Sequence, residues 1–167
     1  MATAVKMIVA AAALAALAAC TNTADTDGSG TGETAVTPVT TVDESSAAYF
    51  TASVGDKVFF DTNSSTLDAG AQTTLTFQAD WLQRFPDKTI VIEGHADERG
   101  TREYNLALGA RRAQAAYDFL LARGVPASQM STVTFGKEKP VSLCSNESCW
   151  SQNRRAISVI AGGAPLG

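Results

Sequence analysis

The chain has 167 residues, enough for one globular domain with extra segments. Its formal net charge of −4 excludes nucleic-acid binding by bulk electrostatics, and 18% charged with 45% hydrophobic residues excludes a wholly disordered chain.

The first segment is MATAVKMIVAAAALAALAAC. One positive charge, Lys6, precedes an apolar run from Met7 to Leu17, and small residues follow, the pattern of a secretory signal peptide. The run is too short for a comfortable transmembrane helix. Its end, Leu17-Ala18-Ala19-Cys20, resembles the lipobox of bacterial lipoproteins. That resemblance implies removal of residues 1–19 and acylation of Cys20 as the mature N-terminus. Each buried methylene of such chains adds about 0.8 kcal/mol of membrane affinity. Thr21, where an Asp would mark inner-membrane retention, favours the outer membrane by the same resemblance.

Residues 20–47 follow as a flexible tether, rich in Thr, Ser, Gly and Asp and without Leu or a large aromatic. A folded domain is expected over 48–161 and a frayed tail over 162–167. Within the domain, Val58-Phe59-Phe60 reads as a short strand and 61–66 as a polar loop. Residues 67–85 read as a helix, with Leu67, Ala71, Leu75, Ala79 and Leu82 on one face and Pro86 stopping it. Thr89–Glu93 is a second strand. A second helix spans 102–123 and ends at Gly124, a suitable residue just past a helix C-terminus. Residues 131–136 and 154–161 are further strands, with a loop between them. The order β-α-β-α-β-β predicts an α/β (α+β) sandwich, two main helices covering one face of a small mixed sheet.

Residues 93–105, EGHADERGTREYN, hold six charged residues and the only histidine, directly after an apolar β-branched run. Strand ends are where α/β folds place their sites. Asp97, Glu98 and Arg99 sit there, and Gly100 permits a sharp turn. Arg112 occupies a position in the apolar stripe of the second helix, one turn after Leu108. An arginine there must snorkel to the stripe edge, or face an acid such as Asp97 or a ligand carboxylate. His95 alone is a weak metal or catalytic signal and reads as a hydrogen-bonding loop former. Glu98 and Glu103 read as solvated, and Asn105 and Asn153 as backbone-bonding. One of Arg154 and Arg155 is a candidate for the cleft wall. With Cys20 acylated, Cys144 and Cys149 remain, five residues apart in a polar loop. In an exported chain this spacing favours a loop disulfide over two free thiols; a metal site lacks further ligands.

The runs EGHADERGT, YN, LG, RRA and NRRA, in this order between Val58 and Ile160, resemble the OmpA-like peptidoglycan-binding domain family, and the lipobox matches its lipoprotein branch, that of the Tol–Pal envelope system. The resemblance implies a non-enzymatic, cofactor-free anchor in the outer membrane, facing the periplasm. Its implied ligand is the peptidoglycan stem peptide, chiefly meso-diaminopimelate, and its implied protein partners are TolB and TolA. Asp97 and Arg112 match the family's acid and arginine, which read the ammonium and carboxylate at the end of diaminopimelate. Further family contacts fall on Phe60, Asp61, Arg99, Thr101 and Leu108. The first loop, FFDTNSSTL, resembles the OmpA version more than the enterobacterial lipoprotein version, and the cysteine pair is absent from many lipoprotein members. Two rivals stand beside this reading: a wall-cleaving glycosidase using Asp61 and Asp97, and a lipoprotein whose domain binds only proteins.

Overall fold

A computed structural model describes residues 42–161; the signal-peptide, Cys20 and tail readings lie outside them, as does most of the tether. In chain order the elements are α1 (Ala47–Tyr49, continued by a π-helical turn over Phe50–Gly55), β1 (Lys57–Phe59), α2 (Ala69–Arg84), β2 (Ile90–His95), α3 (Arg102–Ala122), β3 (Met130–Gly136), α4 (Glu147–Asn153) and β4 (Arg155–Ile160). The sheet order is β1-β4-β2-β3. β2 and β3 run parallel, joined by α3, while β4 is antiparallel to both β1 and β2. This is the expected mixed sheet with two main helices.

Local chemistry sets the helix limits. The Asp68 carboxylate accepts from the Ala71 amide at 2.7 Å and starts α2; the Thr101 hydroxyl accepts from the Tyr104 amide at 3.2 Å and starts α3. Gly124, at φ +91°, takes the left-handed turn that ends α3. The faces meet in a core that includes Leu75, Leu82, Ile90, Ile92 and Leu120, all buried, each contributing about 1.5–3 kcal/mol of apolar burial. Gln78 ties α2 to the sheet, accepting from the Ser158 hydroxyl at 2.7 Å and donating to the Gly55 carbonyl at 2.7 Å.

Three differences from the sequence reading are informative. Residues 43–46, assigned to the tether, form a turn, and the Trp81 indole donates to the Glu44 carbonyl at 2.7 Å. Phe60 falls one residue beyond β1, although its amide still donates to the Arg154 carbonyl at 2.9 Å. The stretch before β4, read as loop, contains α4, capped by the Asn146 side chain, which accepts from the Ser148 amide at 3.0 Å.

One contact fixes the height of α3 over the sheet. A Cβ on Gly94 would lie 1.9 Å from the Gly109 carbonyl oxygen, and one on Gly109 would lie 2.5 Å from Thr134 Oγ1. Only glycine at both positions lets helix and strand approach so closely. Arg112, one turn beyond Gly109, is thereby lowered onto the end of β2.

Candidate functional site

β2 is irregular between Gly94 and His95, and the chain then leaves the sheet with the Ala96 amide donating to the Gly136 carbonyl at 2.8 Å. The next side chain, Asp97, is nearly buried at 7% exposure. Its Oδ1 accepts from the Arg99 amide at 3.1 Å and from Arg99 Nε at 3.1 Å, and its Oδ2 accepts from Arg99 Nη2 at 2.6 Å. Arg154 Nη1 lies 3.5 Å from Oδ2, an ion-pair distance too long for a hydrogen bond, and that buried nitrogen has no hydrogen-bond partner among the described residues. Burial raises the Asp97 carboxyl, but the side-chain and backbone bonds from Arg99, with Arg154 behind them, outweigh it and hold the group below the usual carboxylate range. A carboxyl held ionised this way is poorly suited to act as a general acid.

Arg112 is fully buried, and it neither snorkels nor pairs with Asp97. Its guanidinium is held by three carbonyls: Nε donates to Ser64 at 2.8 Å, Nη1 to His95 at 2.9 Å and Nη2 to Asp61 at 3.0 Å. It also lies over the Phe60 ring, 5.2 Å from its centroid. The sequence reading of a direct acid partner is thus corrected. Carbonyl dipoles from the first loop and from β2 solvate the charge in place of a carboxylate. Burial lowers the Arg112 pKa to about 10, with Arg154 adding to the effect and Asp97 opposing it, so the group stays protonated at neutral pH. Three of its five N–H hydrogens are engaged; the other two have no partner among the described residues.

Above these groups lies a cleft of about 260 Å³ lined by Thr62, Asn63, Asp97, Arg99, Tyr104 and Leu108, among others. Of the residues singled out from sequence, Asp97, Arg99, Gly100, Asn105 and Leu108 line this cleft directly. Arg112 and Phe60 lie buried next to it, and Asp61 contributes its carbonyl to Arg112. Thr101 serves as the N-cap of α3. Sequence reasoning missed Thr62, Asn63 and Tyr104; the Tyr104 hydroxyl donates to the Asn63 side chain across the cleft rim. Of the two candidate arginines near β4, Arg154 is the one beside Asp97. Arg155 is bonded to the Asn153 carbonyl at 3.3 Å and the Lys139 carbonyl at 3.2 Å.

The remaining readings divide. Asn105 Nδ2 donates to the Arg99 carbonyl at 2.8 Å, and Asn153 Oδ1 accepts from the Val141 amide at 2.8 Å, both bonding backbone as expected. Cys144 and Cys149 are bridged. Glu98, read as merely solvated, accepts from the Trp150 indole at 3.0 Å. His95 is not a hydrogen-bonding loop former: neither ring nitrogen has a hydrogen-bond partner among the described residues, and the ring stacks on Phe135 at 5.5 Å. Only its carbonyl serves the site, through Arg112.

The four-stranded mixed sheet, with a charged cleft where β2 meets α3, defines an OmpA-like domain. The OmpA family model matches residues 59–155, more than half of the chain, and the chain belongs to that family. It is 64% identical over 113 residues to the peptidoglycan-associated lipoprotein of Agrobacterium fabrum, a match covering 68% of this chain and 64% of that relative's own length. It is 57% identical over 135 residues to the protein of the same name from Rhizobium meliloti, covering 81% of this chain and 73% of the relative. The crystal structure of the peptidoglycan-associated lipoprotein from Burkholderia pseudomallei aligns with a TM-score of 0.64 at 44% identity, over 66% of this chain and 95% of that one. The C-terminal domain of Helicobacter pylori MotB shares the fold, with a TM-score of 0.61 at 21% identity.

Proposed function

We propose that the chain is a non-enzymatic envelope lipoprotein that binds peptidoglycan non-covalently at the Asp97 cleft, through the diaminopimelate of the stem peptide. The observation that carries this reading is an ionised carboxylate lining the cleft, with buried guanidinium groups directly behind it whose donors are not all spent among the described residues. The unspent donors are Arg154 Nη1 beside Asp97, and two N–H hydrogens of Arg112. The end of a diaminopimelate side chain carries an ammonium and a carboxylate on one carbon. Asp97 offers the acceptor for the first, and the guanidinium donors match the second. A lysine-type stem lacks that carboxylate and would leave buried donors unpaired, which costs more than one lost contact. Phe60, Asp61, Arg99, Thr101 and Leu108 shape or border this cleft in the same reading.

Acylation at Cys20 would place the anchor in the outer membrane with the domain in the periplasm. TolB and TolA are the protein partners this reading implies. Tethering raises effective concentration, so modest affinity per domain suffices to hold two envelope layers together. The test is co-sedimentation of the detergent-solubilised full chain with purified sacculi, with meso-diaminopimelate as competitor. Asp97→Asn removes the charge and keeps the shape. Removing a close charge partner predicts about tenfold or greater weakening. Equal sedimentation of native and variant, or indifference to diaminopimelate, refutes the stem-binding site. Wall clearing in a turbidity assay that Asp97→Asn abolishes would establish the glycosidase reading instead.

A further inference from the structure

Asp97 has little free accepting capacity. Three donors from Arg99 already occupy its two oxygens, and Arg154 stands at 3.5 Å. Oδ2 accepts only one of these bonds, so a ligand ammonium that is to engage both carboxylate oxygens must displace the Arg99 side chain. Arg154 is buried, whereas the Arg99 side chain is 39% exposed, so Arg99 is the group that yields.

Besides Asp97 itself, Arg99 is held by a 3.4 Å bond from Nη2 to the Thr62 hydroxyl and by α4. The Arg99 guanidinium lies over the Trp150 ring, 4.2 Å from its centroid. Trp150 is fixed in turn by its indole bond to Glu98 and by its amide, which donates to the Asn146 carbonyl at 3.0 Å. The adjacent residue, Cys149, is bridged to Cys144. Three residues before Trp150, and so on the same face of the helix, Glu147 pairs with Arg154. α4 thus presents an aromatic face to one of the two cations on Asp97 and an acid to the other. Neither contact serves α4's own helical bonding.

We propose that Trp150 is a positioning residue for the binding cleft: held by the Cys144–Cys149 loop, it keeps the Arg99 guanidinium on Asp97 as an internal stand-in for a ligand ammonium, and so sets the affinity of the site for ammonium-bearing ligands. This rests on the reading of Asp97 as the ammonium acceptor. Arg99 must leave the Trp150 face when ligand enters, and the strength of that contact is subtracted from binding.

The experiment titrates meso-diaminopimelate into the detergent-solubilised full chain, following heat of binding and tryptophan emission. Trp150→Ala is expected to bind about two- to fivefold tighter, the range a partly exposed cation–aromatic contact allows. Trp150→Phe keeps an aromatic face under Arg99 and should return toward native affinity. A Cys144→Ala, Cys149→Ala double variant loosens the loop and should shift affinity in the same direction as Trp150→Ala. Native emission should change on saturation, and that change should vanish in Trp150→Phe, leaving the buried Trp81 as a constant background. Affinity that is unchanged or weaker in a folded Trp150→Ala, with Asp97→Asn still weakening binding about tenfold or more, overturns this proposal alone. Binding that ignores Asp97→Asn overturns the stem-binding reading and this proposal with it.

Discussion

His95 predicts a specific acid weakness. The ring is 1% exposed, stacked on Phe135, and flanked by the Arg155 and Lys139 cations. Glu93 Oε2, at 3.4 Å from Nε2, is the one carboxylate paired with it among the described residues. Burial, with Arg155 and then Lys139 adding to it, lowers the pKa to about 3 from an ordinary 6.5. The sign follows from proton counting. Between these two values the unfolded chain binds a proton that the folded chain refuses, so stability is full above pH 6.5 and falls as pH drops toward 3. One pH unit within that window is about 1.4 kcal/mol, so the native chain should lose about 2 kcal/mol between pH 7 and pH 5.

The range from pH 7 to pH 5 is favourable because it lies above the ordinary values, 3.8 and 4.5, below which the stability held by Asp97 and Glu147 is lost. Asp97 and Glu147 are held below their ordinary range and protonate at lower pH. Urea denaturation at pH 7, 6 and 5, followed by circular dichroism, gives the slope for the native chain. His95→Phe keeps a flat ring on Phe135 and removes the titration, so its slope should be nearly flat over the same range. As the sequence contains one histidine, a single imidazole proton resonance reports its pKa directly on untagged protein. Parallel native and variant curves, or an imidazole titrating near 6.5, would refute the argument.

Two further substitutions test how the cleft is held together. Gly94→Ala puts a methyl 1.9 Å from the Gly109 carbonyl oxygen; lifting α3 off β2 should cost about 3 kcal/mol in urea midpoint experiments and weaken sacculus binding in parallel. Arg112→Lys keeps the charge but loses the planar fork that reaches the Asp61, Ser64 and His95 carbonyls together; a loss of about 3 kcal/mol is expected, and a variant as stable as native would show that the three carbonyl bonds are dispensable.

Much of the fold was legible in the sequence because its signals were local. Helical spacing placed α2 and α3 to within two residues at each end, and Pro86 and Gly124 marked their ends. β2 ran two residues further than expected, into Gly94 and His95. Those residues carry no apolar pattern, and they stay in the strand because Gly109 permits α3 to lie against it. α4 was missed for a related reason: its seven residues, ESCWSQN, have no apolar stripe, and it is started by the Asn146 cap and joined by the Cys149 bridge. The charged loop after β2 was recognisable as a candidate site from density of charge alone. The partners within it were not, since Arg99, two residues from Asp97, proved nearer than any residue that helical spacing could nominate.

Arg112 shows the same limit in sharper form. Its place in an apolar stripe announced a buried charge in need of a partner, and acids are the partners a sequence displays. Carbonyls are invisible to such reading because every residue carries one. Their use here has an electrostatic consequence for the proposed function. The connected cluster around the cleft contains three guanidinium groups, those of Arg99, Arg112 and Arg154, and three carboxylates, those of Asp97, Glu98 and Glu147. The formal charges of these six cancel, and Lys137 adds one positive charge at the cleft edge on the Glu98 and Gly100 carbonyls; yet the acids are engaged by Arg99, Arg154 and Trp150, while Arg112 retains hydrogens without partners among the described residues. In the proposed function, a zwitterion entering this cleft adds no net charge, and its carboxylate would be the partner for the donors behind the cleft wall. A lone ammonium, such as a lysine-type stem presents, adds a positive charge beside buried guanidinium and satisfies none of them. In the proposed function, preference for a zwitterion over a simple amine would rest on the unspent hydrogens of Arg112 and Arg154 more than on Asp97, which would accept either.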